Sequence, residues 1–235
     1  MRIVFNPLTG KFETVWGGDL ATLGAIPNSG WIEVSDTWTR TGNYTFTVSG
    51  DLSAAFRKGT KVRYKQGGDF EYGVVISSSY SAPDTTITLA ANNDYAMAAA
   101  TITDTAISFI ENPEGFPHWF NYAPTYSANG SMTYTSVSTT HAKFCVKGNT
   151  VEVNVFGTGT TGGTANTALY ATPPITIATS AALSCAARDA TTGGAPVGTG
   201  SANASLGVLA VRKADLSNYG LGTGRIMLIS GVYQF

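Results

Sequence analysis

Short alternating runs rich in Thr, Val, Ile, Tyr and Phe, each broken by Gly, Pro, Asn or Asp, recur along the chain. Thr45-Phe46-Thr47-Val48 is one, closed by Ser49-Gly50-Asp51, and Lys61-Val62-Arg63-Tyr64-Lys65 is another, with Val62 and Tyr64 in phase. Residues two apart share one face of a strand, whereas an amphipathic helix needs apolar residues three and four apart. A chain written in this period is expected to fold as antiparallel sheets joined by turns. The interruptions come too often for long helices, so the fold class expected is all-β.

The 235 residues suffice for one large β domain or two smaller ones. Hydrophobic residues make up 43%, enough for real cores despite 27 glycines. Charged residues are only 12%, against about a quarter in an ordinary globular domain. Few groups are therefore available for acid–base chemistry, and many suit neutral hydrogen bonds and close subunit packing. The net charge of −1 is mixed along the chain. No basic stripe of the kind nucleic acid requires is present, so no nucleic-acid partner is expected. No apolar run approaches the roughly 18 residues of a membrane span, so no membrane insertion is expected either. The opening residues carry one positive charge without a hydrophobic stretch, unlike a secretory signal.

Three parts are expected: an extended arm over 1–34, a small antiparallel β barrel or sandwich over 35–112, and a C-terminal β-sandwich, jelly-roll-like, over 113–235. The arm holds Phe5-Asn6-Pro7-Leu8-Thr9-Gly10-Lys11-Phe12, and nothing in it alternates long enough to define a strand pair. Its apolar residues, Phe5, Leu8 and Phe12 with Val15 and Trp16, call for a partner surface. In the second part, Gln66-Gly67-Gly68-Asp69 reads as a hairpin loop returning through Phe70–Ser77. Thr85–Leu89 and Ile102–Ile110 are further strands, with one helical turn at Ala96–Ala100. Pro113 and Pro117, flanking Gly115, interrupt any ladder. Beyond them the candidate strands are Ser131–Thr139, His141–Lys147, Thr150–Phe156, Pro174–Ala178, Ala181–Ala187, Leu206–Arg212 and Arg225–Tyr233.

No catalytic or metal site emerges, and no cofactor is expected. Gly157-Thr158-Gly159-Thr160-Thr161-Gly162 fits the dinucleotide glycine pattern literally. That pattern needs a following helix to meet the pyrophosphate, and here two prolines follow instead, so a long loop is expected. From Phe116 onward the only acids are Glu152, Asp189 and Asp215. Glu152 alternates with valines and should face outward. The acids of the second part, such as Asp69, Glu71, Asp84 and Asp94, read mostly as turn residues. His118 and His141 lack companions at ligand spacing. Cys145 and Cys185, the only cysteines, read as free buried thiols in strands. The aromatic run from Phe116 to Tyr126 is the sharpest local feature. Trp119, Phe120, Tyr122 and Tyr126 are read as interdomain or intersubunit contacts, with core packing and sugar stacking as alternatives.

The opening Phe5-Asn6-Pro7-Leu8-Thr9-Gly10 resembles the short N-terminal peptide of tailed-bacteriophage virion proteins. The stretches Trp38–Leu52 and Lys58–Val75 look like a β module of phage fibres. The segments beginning at Trp119 and at Gly157 are similar to its C-terminal β-sandwich partner. This resemblance implies a virion structural protein, a short tail-fibre or receptor-binding-like appendage used for host attachment. It implies a homotrimer, assembled in the host cytoplasm and docked through Phe5, Asn6, Pro7, Leu8 and Phe12 onto other proteins of tail, neck or capsid. Loops at Gly157–Tyr170 and Thr191–Ser205 would be free to touch a host cell-surface glycan. No collagen-like or coiled-coil shaft is present, which favours a short appendage. The alternatives are a capsid or neck decoration fibre without an adsorption role, a secreted carbohydrate-binding module and, least favoured by the scarcity of acids, a depolymerase. The expectation is therefore not an enzyme.

Overall fold

The computed structural model describes residues 29–187 and 198–235, together with the backbone of 2–6, 11–15 and 188. The all-β expectation is borne out, with the strands gathered into two antiparallel sheets and one separate hairpin. The hairpin joins β1 (Arg2–Asn6) and β2 (Lys11–Val15), with Phe5 opposite Phe12 and Asn6 opposite Lys11. The expectation that this segment forms no strand pair is thereby corrected. Its alternation, Ile3-Val4-Phe5 facing Phe12-Glu13-Thr14, is short but suffices when each strand is the other's partner.

The first sheet contains β3 (Ile32–Glu33), β4 (Thr39–Gly42), β5 (Thr45–Ser49), β6 (Lys61–Lys65), β7 (Phe70–Ser81), β8 (Asp84–Ala91) and β9 (Thr103–Ser108). Their order is β3-β9-β6-β7-β8-β5-β4, an open sheet with no closed barrel, so the barrel alternative is not the form adopted. The helical turn expected at Ala96–Ala100 is absent; a single 3-10 turn lies at Asn93–Tyr95 instead. Met97 is buried in the core, and extended backbone lets it reach there. One face of the sheet packs Trp38, Phe46, Phe56, Val62, Tyr64 and Val75. The Trp38 and Phe46 rings stack with centroids 4.3 Å apart. The other face carries Val74 and Ala90, which belong to the core of the second sheet. Strand β7 is thus buried on both faces in its middle, and that double burial is what joins the two units.

The second sheet contains β10 (Phe120–Asn121), β11 (Tyr126–Ala128), β12 (Met132–Lys147), β13 (Thr150–Gly163), β14 (Ala168–Ala171), β15 (Ala181–Arg188), β16 (Gly198–Asn203), β17 (Val208–Lys213) and β18 (Gly222–Gln234). The order is β10-β12-β13-β18-β15-β16-β17-β14-β11. Strand β15 serves both halves: Ala181–Leu183 pair with β16, and Ser184–Arg188 pair with β18. The sheet folds over on itself along that strand, and Val151, Val153, Val155, Leu169, Leu209, Val211, Met227 and Ile229 fill the space between as a sandwich core.

Several boundaries are corrected. The two strands expected at Ser131–Thr139 and His141–Lys147 are one 16-residue strand with irregularities at Thr135/Ser138 and Thr139/His141. Pro174–Ala178 is not a strand, since consecutive prolines at Pro173 and Pro174 supply no ladder donors; Ile175 and Ile177 are nevertheless buried. The expected Gly157–Tyr170 loop is largely strand, because β13 runs on through Gly163 between β12 and β18. Of the expected Thr191–Ser205 loop, Gly198–Asn203 is strand β16, and 191–197 lie outside the described residues.

The glycines of β13 have a packing cause rather than a phosphate-binding one. The bulge in β12 sets Val137 against them: a Cβ at Gly159 would lie 2.7 Å from Tyr134 Cε2, 2.8 Å from Val137 Cγ2 and 3.0 Å from the Thr135 carbonyl oxygen. Gly159→Val should therefore lower stability by about 1–3 kcal/mol through overpacking. Thr160→Val, on the opposite face, should stay within about 0.5 kcal/mol. Urea unfolding of the two variants measures the contrast, and equal midpoints would contradict this packing.

Candidate functional site

The chemistry-bearing side chains converge where the first sheet meets the second. The connecting segment after β9 is seated by a reciprocal pair of contacts. The Trp31 indole N–H donates to the Glu114 carbonyl (2.7 Å), and the Glu114 N–H donates to the Ser29 carbonyl (2.7 Å). From there a run of rings crosses the junction. Trp31 lies 6.0 Å from Tyr72 and 6.2 Å from Phe116, and Phe116 lies 5.6 Å from Phe120 in an edge-to-face pair. Phe120 also meets Tyr95 of the first unit (6.3 Å) and Phe144 of β12 (5.5 Å). Edge-to-face pairs of this kind add to simple area burial. The Asn121 N–H donates to the Asn92 side-chain oxygen, adding a polar tie beside the rings.

Of the four aromatics singled out from the sequence, Phe120 and Tyr122 meet at the junction around Phe144. Trp119 instead lies with the Lys143 ammonium 5.2 Å from its ring centre. Tyr126 sits farther along the second sheet, edge-on to Tyr134, with its hydroxyl 3.0 Å from that of Thr139. The sequence reading missed Trp31, Tyr72 and Tyr95. For Tyr72 the signal was the phase of β7, where Tyr72, Val74 and Ile76 are apolar on the face that a half-exposed strand would give to water; Trp31 and Tyr95 lie outside regular strands and carry no such signal. Among the arm residues, Pro7 and Leu8 lie outside the described residues, while Phe5, Asn6 and Phe12 occupy the β1–β2 hairpin.

Two clefts flank the ring run. The first, about 420 Å³, is lined by Arg57, Lys58, Lys61 and Lys147 with Phe109 and Glu111. Its wall is fixed by contact between the two units: Gly59 has φ +85°, and a Cβ there would lie 2.8 Å from the Gly148 carbonyl oxygen. Only glycine allows both that conformation and that approach. Lys61 is 8% exposed, and its ammonium donates to the Ile110 carbonyl (2.8 Å) and lies 5.5 Å from the Phe116 ring centre. Burial holds its pKa below the usual lysine value, with nearby Glu111 opposing that shift. The second cleft, about 220 Å³, is lined by Tyr44, Asn93, Tyr122, Phe144, Pro173 and Pro174. The Tyr122 hydroxyl is buried without a hydrogen-bond partner among the described residues, and burial raises its pKa.

The remaining candidate groups lie apart from these clefts or are already engaged. Glu152 accepts from the Lys147 ammonium (3.1 Å), and the Cys145 thiol is 3.6 Å away. Burial, aided by Glu152, pushes that thiol up to about 11, so it stays protonated at neutral pH. Cys185 is half-buried and also shifted upward by burial. Asp215 accepts from the backbone N–H and the hydroxyl of Ser217, and Asp189 lies outside the described residues. Glu71 is not a turn residue as expected; it sits within β7 beside Tyr64, where burial raises its pKa. His141 shares a 2.7 Å hydrogen bond with Asn154. No group of three or more His, Cys, Asp or Glu among the described residues is placed to hold a metal.

No family model, curated protein or solved structure matches the chain. Function is therefore argued from the site and the surfaces alone.

Proposed function

We propose that the chain is a virion structural protein, a short fibre-like or receptor-binding-like appendage. It assembles as a homotrimer, is anchored by its N-terminal segment to other virion proteins, and contacts host-surface glycans. The observation that carries this reading is the outward face of the β13–β18–β15 ladder. In register across it lie Phe156, Leu228 and Ala186, and beside them Thr158 and Ile226. Val232 on the same face is 51% exposed. Glu152, in register with Val232, and Arg188, in register with Ile226, are the two charged positions of these three strands in phase with it, and they lie toward opposite ends of the face. A broad, charge-poor face with an apolar centre desolvates cheaply, which is what packing of identical subunits around an axis requires. The neutral strands and the scarcity of ionisable groups fit a protein that assembles and touches.

The test is mass in solution. Three times the 24.5 kDa chain mass is expected for the wild type. Leu228→Lys or Phe156→Lys, placing a charge at the centre of that face, should reduce it to a single chain without loss of β-sheet signal. A wild-type single chain would contradict the trimer. Absence of the protein from purified particles would contradict the virion assignment.

A further inference from the structure

We propose that the cleft between Arg57 and Lys147 is a binding site for an acidic, carboxylate-bearing glycan. This rests on the glycan-contact reading above and names the ligand chemistry. Four of the chain's 14 basic residues, Arg57, Lys58, Lys61 and Lys147, line this one cleft, opposed there by a single carboxylate, Glu111. Lys61 is the decisive residue. It sits on β6 at the junction, and an ammonium has three donors. Its one hydrogen bond among the described residues goes to the Ile110 carbonyl. Glu111 offsets part of the cost of burying this cation, and the donors it leaves free suit an anion in the cleft.

The other cations are near the rim and exposed. Arg57 lies over the Phe109 ring at 5.1 Å and Lys58 over the Phe235 ring at 5.2 Å. Phe109 is 48% exposed and offers an apolar surface beside the cations. A planar guanidinium that can grip a carboxylate bidentately, next to an open aromatic ring, matches an acidic sugar better than a free inorganic anion. The volume of about 420 Å³ admits one to two sugar rings, in the usual range for small-ligand sites. Lys147 is partly committed to Glu152 (3.1 Å) and serves as the movable fourth charge.

Titration of the purified full-length protein with trigalacturonate, in calorimetry at low salt, tests the assignment. Neutral galactotriose and a glycerol-phosphate oligomer are the comparison ligands. Trigalacturonate is expected to bind, to weaken as salt is raised, and to lose at least tenfold in affinity in Arg57→Ala and Lys58→Ala. Both residues are exposed, so both variants should keep the wild-type melting temperature. Lys61→Met should abolish binding, and the charge-reversed Lys58→Glu, at an exposed position, should do the same if the methionine variant fails to fold. Equal binding of galactotriose, preference for the phosphate oligomer, no binding of any ligand, or affinity unchanged in the arginine and lysine variants would each overturn the inference. These outcomes are separate from the virion reading, which stands or falls on the presence of the chain in purified particles.

Discussion

Phe120→Ala should cost about 3–5 kcal/mol, a large share of the stability of an ordinary domain. The ring is 1% exposed and touches Phe116, Tyr95 and Phe144, so its removal empties a space walled from both sheets. Neither side can collapse freely into the void. Strand β10 is held in register by the pairing of Phe120 with Phe144, and Asn121 is tied to Asn92. Partial relaxation leaves most of the cavity, which is the condition for the upper part of the range. Urea unfolding followed by circular dichroism measures the loss. Phe120→Leu, retaining most of the volume, should lose less than half as much. A loss below about 1 kcal/mol in the alanine variant would mean that the ring is not the keystone of the junction.

The strand content was legible because its period was written plainly. Thr45-Phe46-Thr47-Val48 buries Phe46 and Val48, and the alternation of β13 buries Val151, Val153 and Val155, as their phase requires. What the sequence concealed depends on pairing at a distance. Gly157 and Gly159 look like loop residues until Val137, Tyr126 and Tyr134 are seen pressing on them from neighbouring strands. Glycine in a strand marks close approach by something else, and that something is not adjacent in sequence. The β1–β2 hairpin was hidden by its brevity. Four-residue strands such as Ala168–Ala171 have too few alternations to rise above the surrounding Thr and Ala.

The site was less legible than the fold for the same reason. Lys61 alternates with Val62 and so reads as a solvent-facing residue of a half-exposed strand. The second unit packs on that face, burying Lys61 with Val74 and leaving Arg57, Lys58 and Lys147 around it. Basic residues from the approach to β6 and from the end of β12 are about ninety positions apart in the chain, and the docking of the two units, closest at Gly59 and Gly148, brings them together. Local pattern sets which face a residue occupies within its strand. It does not set what lies opposite that face.

Arg225→Met should destabilise the second sheet by about 3–5 kcal/mol, since a buried carbonyl left without its donor costs about 1–3 kcal/mol and water can reach two of the three, at the exposed Leu221 and Thr223. Arg225 is 1% exposed in the middle of a sheet, where an isolated charge would be prohibitive. Among the described residues its guanidinium donates to three backbone carbonyls, those of Gly220 (2.6 Å), Leu221 (2.8 Å) and Thr223 (2.9 Å). It therefore acts as the centre around which the chain from Gly220 to Thr223 is wound as it enters β18. The Thr161 hydroxyl donates to the same Gly220 carbonyl (2.7 Å), and the Tyr134 hydroxyl donates to the Arg225 carbonyl (3.0 Å), so the winding is shared with β12 and β13. Methionine fills similar volume but supplies no donor, leaving carbonyls turned inward. Lysine keeps the charge as a single point and cannot span three acceptors, so Arg225→Lys should recover only part of the loss. Hydrogen exchange at Leu221–Gly224 should accelerate in both variants ahead of global unfolding. A methionine variant with wild-type stability and unchanged exchange would show that the carbonyls, not the guanidinium, set the path of this segment.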